Sequence, residues 1–238
     1  MKKLLLFLLP FLFFSQKLTI AFGQDKPPFM LPDTLDGIEY RLVSHIMKTL
    51  NKPFRAVQYP FHHLQVSPLK SKIDIAVGVT VRKDGLFYSS PFTKYTNVLI
   101  TKKARGLKLD SLPDLIPLKL GAWKNAKTNL GADFANVIRK KGRSSYYEYP
   151  SQKDQVIAFF SGQIDVILID ESIFYWYKKQ LSIPSDSEIE THYFFKEKYT
   201  HISFKSKELR DKFNTILLKI KKDGRFDRIH ASVVRQAI

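Results

Sequence analysis

The chain of 238 residues contains no cysteine. Disulfide bonds, thiol nucleophiles and cysteine-ligated metal centres are therefore excluded, and folding does not depend on the redox state of the compartment. Acidic residues are also few. The chain has 22 of them and 39 lysines and arginines, which gives a formal net charge of +17. A charge of this sign favours anionic partners such as acidic solutes, anionic membrane surfaces or nucleic acid.

The basic residues form scattered clusters rather than one continuous block. No RNA- or DNA-binding motif accompanies these clusters, so we expect no nucleic-acid partner. The main clusters fall within residues 102–105, 139–143 and 219–222.

The common enzyme signatures are missing as well. The sequence has no Gly-x-Ser-x-Gly motif, no phosphate-binding loop and no dinucleotide fingerprint. Its six histidines show no zinc-like spacing. We therefore predict a protein that is not an enzyme and that holds neither a cofactor nor a metal ion.

An apolar run over residues 4–14, broken only by Pro10, follows the basic start Met1-Lys2-Lys3. It is too short to span a bilayer as a helix and has the length of a signal-peptide core. We predict a cleavable signal peptide over residues 1–16 and a periplasmic or extracellular location. A cut after Gly23 fits the small-residue rule better, but it would remove the first predicted strand. Because the cleavage site is weak, an uncleaved N-terminal anchor is an alternative to the cleaved signal peptide.

The most informative stretch is the β-branched apolar run of residues 73–81, which predicts a buried strand. It delivers Gly78, Thr80 and Arg82 to its C-terminal end, where open α/β sheets bind small molecules. Glycine permits close approach to the backbone, threonine offers a hydroxyl, and the arginine fork matches a carboxylate. The alternative is a core strand followed by a solvated basic turn.

Apolar strands alternate with amphipathic helices along the rest of the chain, which predicts parallel sheets with right-handed crossovers. Asp74 and Asp165 each begin an apolar strand that follows a helix, so the pattern occurs twice. We predict an α/β protein of two lobes, each a mostly parallel sheet flanked by helices, joined by two hinge strands. The predicted divisions are residues 17–98 plus 199–238 for lobe 1 and 99–198 for lobe 2. A ligand site is expected in the cleft between them.

Six motifs resemble, in order and spacing, those of the periplasmic solute-binding proteins of type II fold, in the polar amino-acid-binding group of ABC transporters (family 3). They are Asp25-Lys-Pro-Pro-Phe29, Gly37-Ile-Glu39, Ile73-Asp-Ile-Ala-Val-Gly-Val-Thr80, Tyr88-Ser-Ser-Pro-Phe92, Ser111-Leu-Pro-Asp-Leu115 and Ser161-Gly-Gln-Ile-Asp165 through Asp170.

The resemblance implies that two lobes close on a small amino-acid-like or anionic solute and deliver it to an ABC permease in the inner membrane. It assigns Arg82 to the solute's carboxylate, Asp170 to its ammonium group and Phe29 to one wall. The loop from Trp123 to Thr128, with Trp123 and Asn125 as contacts, would supply backbone donors at a helix N-terminus. We expect the protein to be a monomer.

Three departures from the family pattern support alternatives. Only one residue separates Thr80 from Arg82, Asn125-Ala126 replaces a Gly-Ser or Gly-Thr pair, and Arg41 replaces an acidic residue. A secreted sensory or interaction protein that lost its solute fits these departures. A dehydratase-like enzyme on the same fold is the other alternative, with Glu171 as a general acid, although a carboxylate there also suits the start of a helix.

Overall fold

The computed structural model describes residues 17–24, 26–32, 34–184 and 188–237. The predicted signal peptide, residues 1–16, lies outside the described residues. No helix within the described ranges has both the length and the apolar character needed to cross a membrane.

Strands and helices alternate through most of the chain. The strands are β1 Leu18–Gly23, β2 Phe54–Tyr59, β3 Ile75–Val79, β4 Phe87–Tyr88, β5 Lys94–Tyr95, β6 Asn97–Lys102, β7 Leu120–Trp123, β8 Tyr146–Tyr149, β9 Val166–Asp170, β10 Ile189–His192, β11 Lys198–Tyr199 and β12 His201–Phe204. The α-helices are α1 Ile38–Thr49, α2 Phe61–Leu64, α3 Ser67–Lys70, α4 Ala126–Asn129, α5 Ala132–Lys141, α6 Gln152–Phe160, α7 Glu171–Gln180, α8 Lys207–Lys222 and α9 Arg225–Ala237. Short 3-10 helices lie at Lys103–Arg105, Leu112–Leu115 and Arg143–Ser145.

The first sheet has the strand order β2-β1-β3-β12-β4. Strand β1 runs parallel to both β2 and β3, whereas β12 runs antiparallel to β3 and β4. All five residues of β3 are buried, which explains its continuous apolar sequence. Helix α1 crosses over between β1 and β2 and buries an apolar stripe that includes Leu42, Val43, Ile46 and Met47.

The second sheet has the strand order β10-β6-β9-β7-β8. Strand β7 runs parallel to β8 and β9, and β6 runs antiparallel to β9 and β10. The aromatic residues in the middle of α7 serve mainly for packing. Phe174 and Tyr177 are buried, whereas Tyr175 is half exposed. Both sheets therefore combine a parallel core with antiparallel strands at one side.

Two adjacent short strands connect the sheets. Strand β5 pairs antiparallel with β11 as a separate two-stranded sheet, Lys94 opposite Tyr199 and Tyr95 opposite Lys198. The chain passes from β5 into β6 of the second sheet, and from β11 back into β12 of the first. The chain therefore passes between the two sheets twice, through adjacent strands, as it does in proteins whose two halves move about a hinge.

Two predicted elements are shorter in the structure than the periodicity indicated. The apolar pattern of the sequence predicts a helix over residues 129–141, but α5 begins only at Ala132, after Gly131 adopts φ +95°, a conformation that helices do not contain. The strand predicted over residues 73–81 ends at Val79, because the backbone of Thr80 bonds to the side chain of Gln65 instead of to a neighbouring strand.

Candidate ligand-binding cleft

A cavity of about 360 Å³ lies where strands of both sheets end. The C-terminal ends of β3, β7, β8 and β9, the residues after β1 and the connecting strands β5 and β11 all contribute to its wall. Ligands of open α/β sheets bind at this end of the strands. The lining residues are Gln24, Lys26, Pro60, Gly78, Thr80, Tyr95, Asn97, Trp123, Lys124, Asn125, Asn129, Leu130, Tyr149, Pro150, Gln152, Asp170, Ile173, Lys198 and Thr200.

Asp170 is the buried carboxylate of this cavity, with 4% of its surface exposed. It ends β9 and caps α7, since its Oδ1 accepts the backbone N–H groups of Ser172 at 3.0 Å and Ile173 at 3.1 Å. Its Oδ2 accepts the N–H of Thr96 at 2.8 Å. Burial opposes ionisation more strongly than these bonds favour it, so the pKa of Asp170 rises from 3.8 to about 7.

Asn97 is the neighbour of Asp170 across the strands. The two residues are directly paired in the antiparallel register of β6 and β9, which puts both side chains on the same face of the sheet. Asn97 is 7% exposed and lines the cavity, and in the described part of the chain nothing hydrogen-bonds its side-chain amide. A buried amide that faces a cavity without a protein partner is suited to a ligand.

Gly78 and Thr80 line the cavity at the end of β3, as the sequence predicted. The side chain of Gln65 holds this edge in place. Its Oε1 accepts the Thr80 N–H at 3.1 Å and the Thr80 hydroxyl at 3.0 Å, and its Nε2 donates to the Thr80 carbonyl at 2.9 Å. Gln65 is not predictable from the sequence, because it lies 15 residues from Thr80 in a short segment between two helical turns.

Lys26 lines the cavity near the same end of β3, and it was not among the predicted site residues either. Its Nζ donates to the Tyr95 hydroxyl at 3.2 Å and lies 3.8 Å from Oε2 of the fully buried Glu39. The other Glu39 oxygen, Oε1, accepts the hydroxyls of Thr93 at 3.2 Å and Tyr95 at 3.4 Å. Burial, followed by the charge of Glu39, raises the pKa of Tyr95 well above 10, so this hydroxyl stays protonated. The signal for Lys26 was available, since it follows the C-terminal end of β1 by three residues.

The loop after β7 contributes Trp123 and Asn125 to the cavity, as predicted. Its role as a set of free backbone donors is not supported, because Glu148 already accepts from it. The Asn125 N–H donates to Glu148 Oε2 at 2.8 Å, and the Lys127 N–H donates to Oε1 at 3.4 Å. These bonds fix the loop against β8 and occupy two of the donors expected to face the solute.

Phe29 and Arg82 are the two predicted contacts that the structure keeps out of the cavity lining. Phe29 is 1% exposed and packs in the core, with its ring centroid 4.3 Å from that of Tyr95. Arg82 is exposed, because β3 has already ended and the residue lies in the loop that leads to β4 on the far side of β12. There the Tyr88 hydroxyl donates to Asp84 Oδ2 at 2.9 Å. The short spacing after Thr80 thus leads the arginine away from the site.

Glu171, the proposed general acid of the enzymatic alternative, is not among the cavity-lining residues. It occupies the first turn of α7, and its Oε1 accepts the hydroxyl of the exposed Tyr193 at 2.7 Å. Its position supports the simpler interpretation of a carboxylate at a helix N-terminus. Within the described ranges, no group of three or more metal-ligating side chains occurs.

Residues 18–235 match the family of bacterial extracellular solute-binding proteins, family 3. The chain belongs to this family. The predicted family is thereby confirmed, and with it a solute-binding role. The family also indicates a location outside the cytoplasmic membrane.

Solved structures agree with the fold. The amino acid ABC transporter substrate-binding protein AbpA from Streptococcus pneumoniae, bound to L-arginine, shares 21% identity with a TM-score of 0.73, covering 93% of this chain and 96% of that one. The arginine-, lysine-, histidine-binding protein ArtJ from Geobacillus stearothermophilus shares 18% with a TM-score of 0.67, covering 91% and 94%.

A third similar structure is an ancestral amino acid-binding protein described as a precursor of cyclohexadienyl dehydratase. It shares 18% identity with a TM-score of 0.68, covering 92% of this chain and 95% of that one. The predicted fold class, a two-lobed α/β protein of the type II periplasmic binding fold, is confirmed.

Proposed function

We propose that this protein captures a small amino-acid-like or anionic solute in the cleft and presents it to an ABC permease for uptake. It acts as a monomer in the periplasm, after removal of the signal peptide, and without catalysing a reaction. The proposed lobes are residues 17–98 plus 199–238 and residues 99–198. The proposed solute contacts include the five predicted residues that line the cavity, which are Gly78, Thr80, Trp123, Asn125 and Asp170. Lys26 and Asn97, which also line it, complete the proposed site.

The observation that carries this proposal is the pairing of Asp170 with Asn97 at the base of the cavity. Both are more than nine-tenths buried, both face the same space, and they extend from neighbouring strands. Asp170 supplies a carboxylate and Asn97 an amide without a protein partner in the described residues, and a solute with polar ends can bond to both. The structures similar to this chain are described as binding arginine, lysine or histidine, which supports a solute of amino-acid size.

The enzymatic alternative has less support. One similar structure is described as a precursor of a dehydratase, but Glu171 is bonded to Tyr193 outside the cavity lining. A general acid must reach the atom that it protonates. We therefore propose binding without catalysis.

The test is a thermal-shift screen of L-amino acids and small organic acids, followed by isothermal titration calorimetry. A ligand with a Kd of about 10 μM, present at about 1 mM, stabilises the folded state by about 2.7 kcal/mol. For a chain of this size, that corresponds to a rise in Tm of about 5–10 °C.

Two variants locate the binding site. Asp170→Asn keeps a helix-capping side chain but loses the charge, and we expect it to weaken binding about tenfold or more. Asp133→Asn makes the same change in the first turn of α5, at an exposed position outside the cavity lining, and should bind like the wild type. A screen without any stabilising compound would refute capture of an amino-acid-like or anionic solute, and equal affinity in all three proteins would remove Asp170 from the proposed contacts.

A further inference from the structure

We propose that the cleft is selective for a small dicarboxylate, held between lysines contributed by both halves of the molecule. This inference rests on the proposed solute-binding function and assigns its substrate class. It follows from the distribution of charged side chains around the cavity.

Three lysines line the cavity, and they come from three separate parts of the chain. Lys26 follows β1 of the first sheet, Lys124 follows β7 of the second sheet, and Lys198 belongs to the connecting strand β11. Positive charge therefore approaches the cavity from each half and from the connection between them. A solute that touches both halves meets more than one lysine.

Among the residues that line the cavity, three are lysines and one, Asp170, carries a carboxylate. Glu39 is fully buried and engaged with Lys26, so this pair is close to neutral. Asp170 directs its carboxylate at three backbone N–H groups. In the part of the chain that the structure describes, Lys124 and Lys198 have no carboxylate within 4.0 Å. Two lysines without a carboxylate partner thus belong to the wall of one cavity.

Solute charge then decides the free energy of binding. A cationic amino acid would bring a further positive group into a cavity from which water is partly excluded, where repulsion is stronger than in bulk water. A solute with one carboxylate can form a charge-assisted hydrogen bond with only one of the two lysines. A solute with two carboxylates satisfies both, and its chain lies against the apolar side chains of Trp123 and Leu130.

The test compares four ligands by isothermal titration calorimetry: L-glutamate, glutarate, L-glutamine and L-arginine. Glutamate and glutamine have nearly the same shape, so their comparison isolates the second carboxylate. We expect glutamate or glutarate to bind at least about tenfold more tightly than glutamine, and arginine to bind more weakly still. Tighter binding of glutamate identifies an acidic amino acid, whose ammonium group reaches Asp170. Tighter binding of glutarate identifies a dicarboxylic acid without an amino group.

Three matched variants test the lysines. Lys124→Gln and Lys198→Gln each remove one charge from the cavity, and we expect each to weaken dicarboxylate binding about tenfold. Lys219→Gln removes the same net charge from the exposed face of α8 and should bind like the wild type. These variants leave the buried Lys26–Glu39 pair intact, so they should fold normally.

The outcomes separate this inference from the proposed function. If arginine or glutamine binds as tightly as the dicarboxylates, or if the two cleft variants bind dicarboxylates like the wild type, the dicarboxylate assignment is wrong and solute binding stands. If none of the four ligands and no other amino acid or organic acid binds, both proposals fail together.

Discussion

Asp170 should make the stability of this protein depend on pH in a direction opposite to that of an ordinary surface carboxylate. Its pKa is about 7 in the folded chain and 3.8 in the reference state. Because the folded pKa is raised, the folded state binds the proton more tightly than the unfolded state does. The stabilisation from protonation is complete below pH 3.8, decreases as the pH rises, and is lost above about pH 7.

The magnitude follows from the two pKa values. Each pH unit between them is equivalent to about 1.4 kcal/mol, so the whole interval amounts to about 4 kcal/mol. Between pH 8 and pH 5, Asp170 alone should add about 2.5 kcal/mol to the free energy of unfolding. This is a large fraction of the stability of a typical domain.

The assay is urea unfolding of the wild type and of Asp170→Asn at several values between pH 5 and pH 8. Asparagine keeps a capping oxygen but does not titrate, so the difference between the two proteins removes the contribution of every other titrating group. We expect the wild type to gain about 2.5 kcal/mol relative to the variant as the pH falls across this range.

The effect that competes with burial is hydrogen bonding, because Asp170 accepts hydrogen bonds from three backbone N–H groups. Bonds of this kind favour the ionised carboxylate and alone would lower its pKa. If they outweighed burial, the folded pKa would lie below 3.8 and the stability difference would stay constant between pH 5 and pH 8. A constant difference would therefore refute the reasoning.

Three further substitutions test the geometry of the cleft. Arg82→Ala should leave solute affinity within about twofold of the wild type in calorimetry, because the side chain is exposed outside the cavity lining; a loss beyond tenfold would return Arg82 to the site. Gly78→Ala should lower the free energy of urea unfolding by about 2 kcal/mol or more, since the residue has φ +78° and the new Cβ would lie 2.9 Å from Glu39 Oε1. Its control is Gly85→Ala, where φ is +83° but nothing lies within 4 Å of the new atom, and the expected cost is only about 1 kcal/mol; equal costs would exclude the clash. Gln65→Ala should weaken solute binding about tenfold, because it releases the backbone and hydroxyl of Thr80; unchanged affinity would limit Gln65 to a structural role.

Much of the fold was predictable because it depends on local periodicity. The sequence pattern predicts helices over residues 152–160 and 207–222 and a strand over residues 201–204, and α6, α8 and β12 have these bounds. Gly131 marks the main failure, since the pattern continues through it while the backbone does not. Periodicity reports which residues face the core, and it does not report φ at a single glycine.

The cleft was only partly predictable, because several of its residues depend on pairings distant in the chain. Asp170 and Gly78 were found as residues at the ends of apolar strands, a local signal. Asn97 faces the cavity only because β6 pairs with β9 in one particular register. The resemblance assigned Phe29 to one wall of the site and gave Lys26 no role, whereas Phe29 is part of the core and Lys26 lines the cavity.

The charge of the whole chain and the charge of the cleft have different physical consequences. A net charge of +17 attracts any anion at long range and raises the rate of association, but it does not distinguish one anion from another. At physiological ionic strength this attraction is screened over about 8 Å, whereas contacts inside a partly buried cavity are screened much less. Added salt should therefore slow the association of an anionic solute and affect its dissociation less. If Lys124 and Lys198 hold the solute as proposed, their effect should be seen mainly in the dissociation rate, because that rate is set by the contacts that must break.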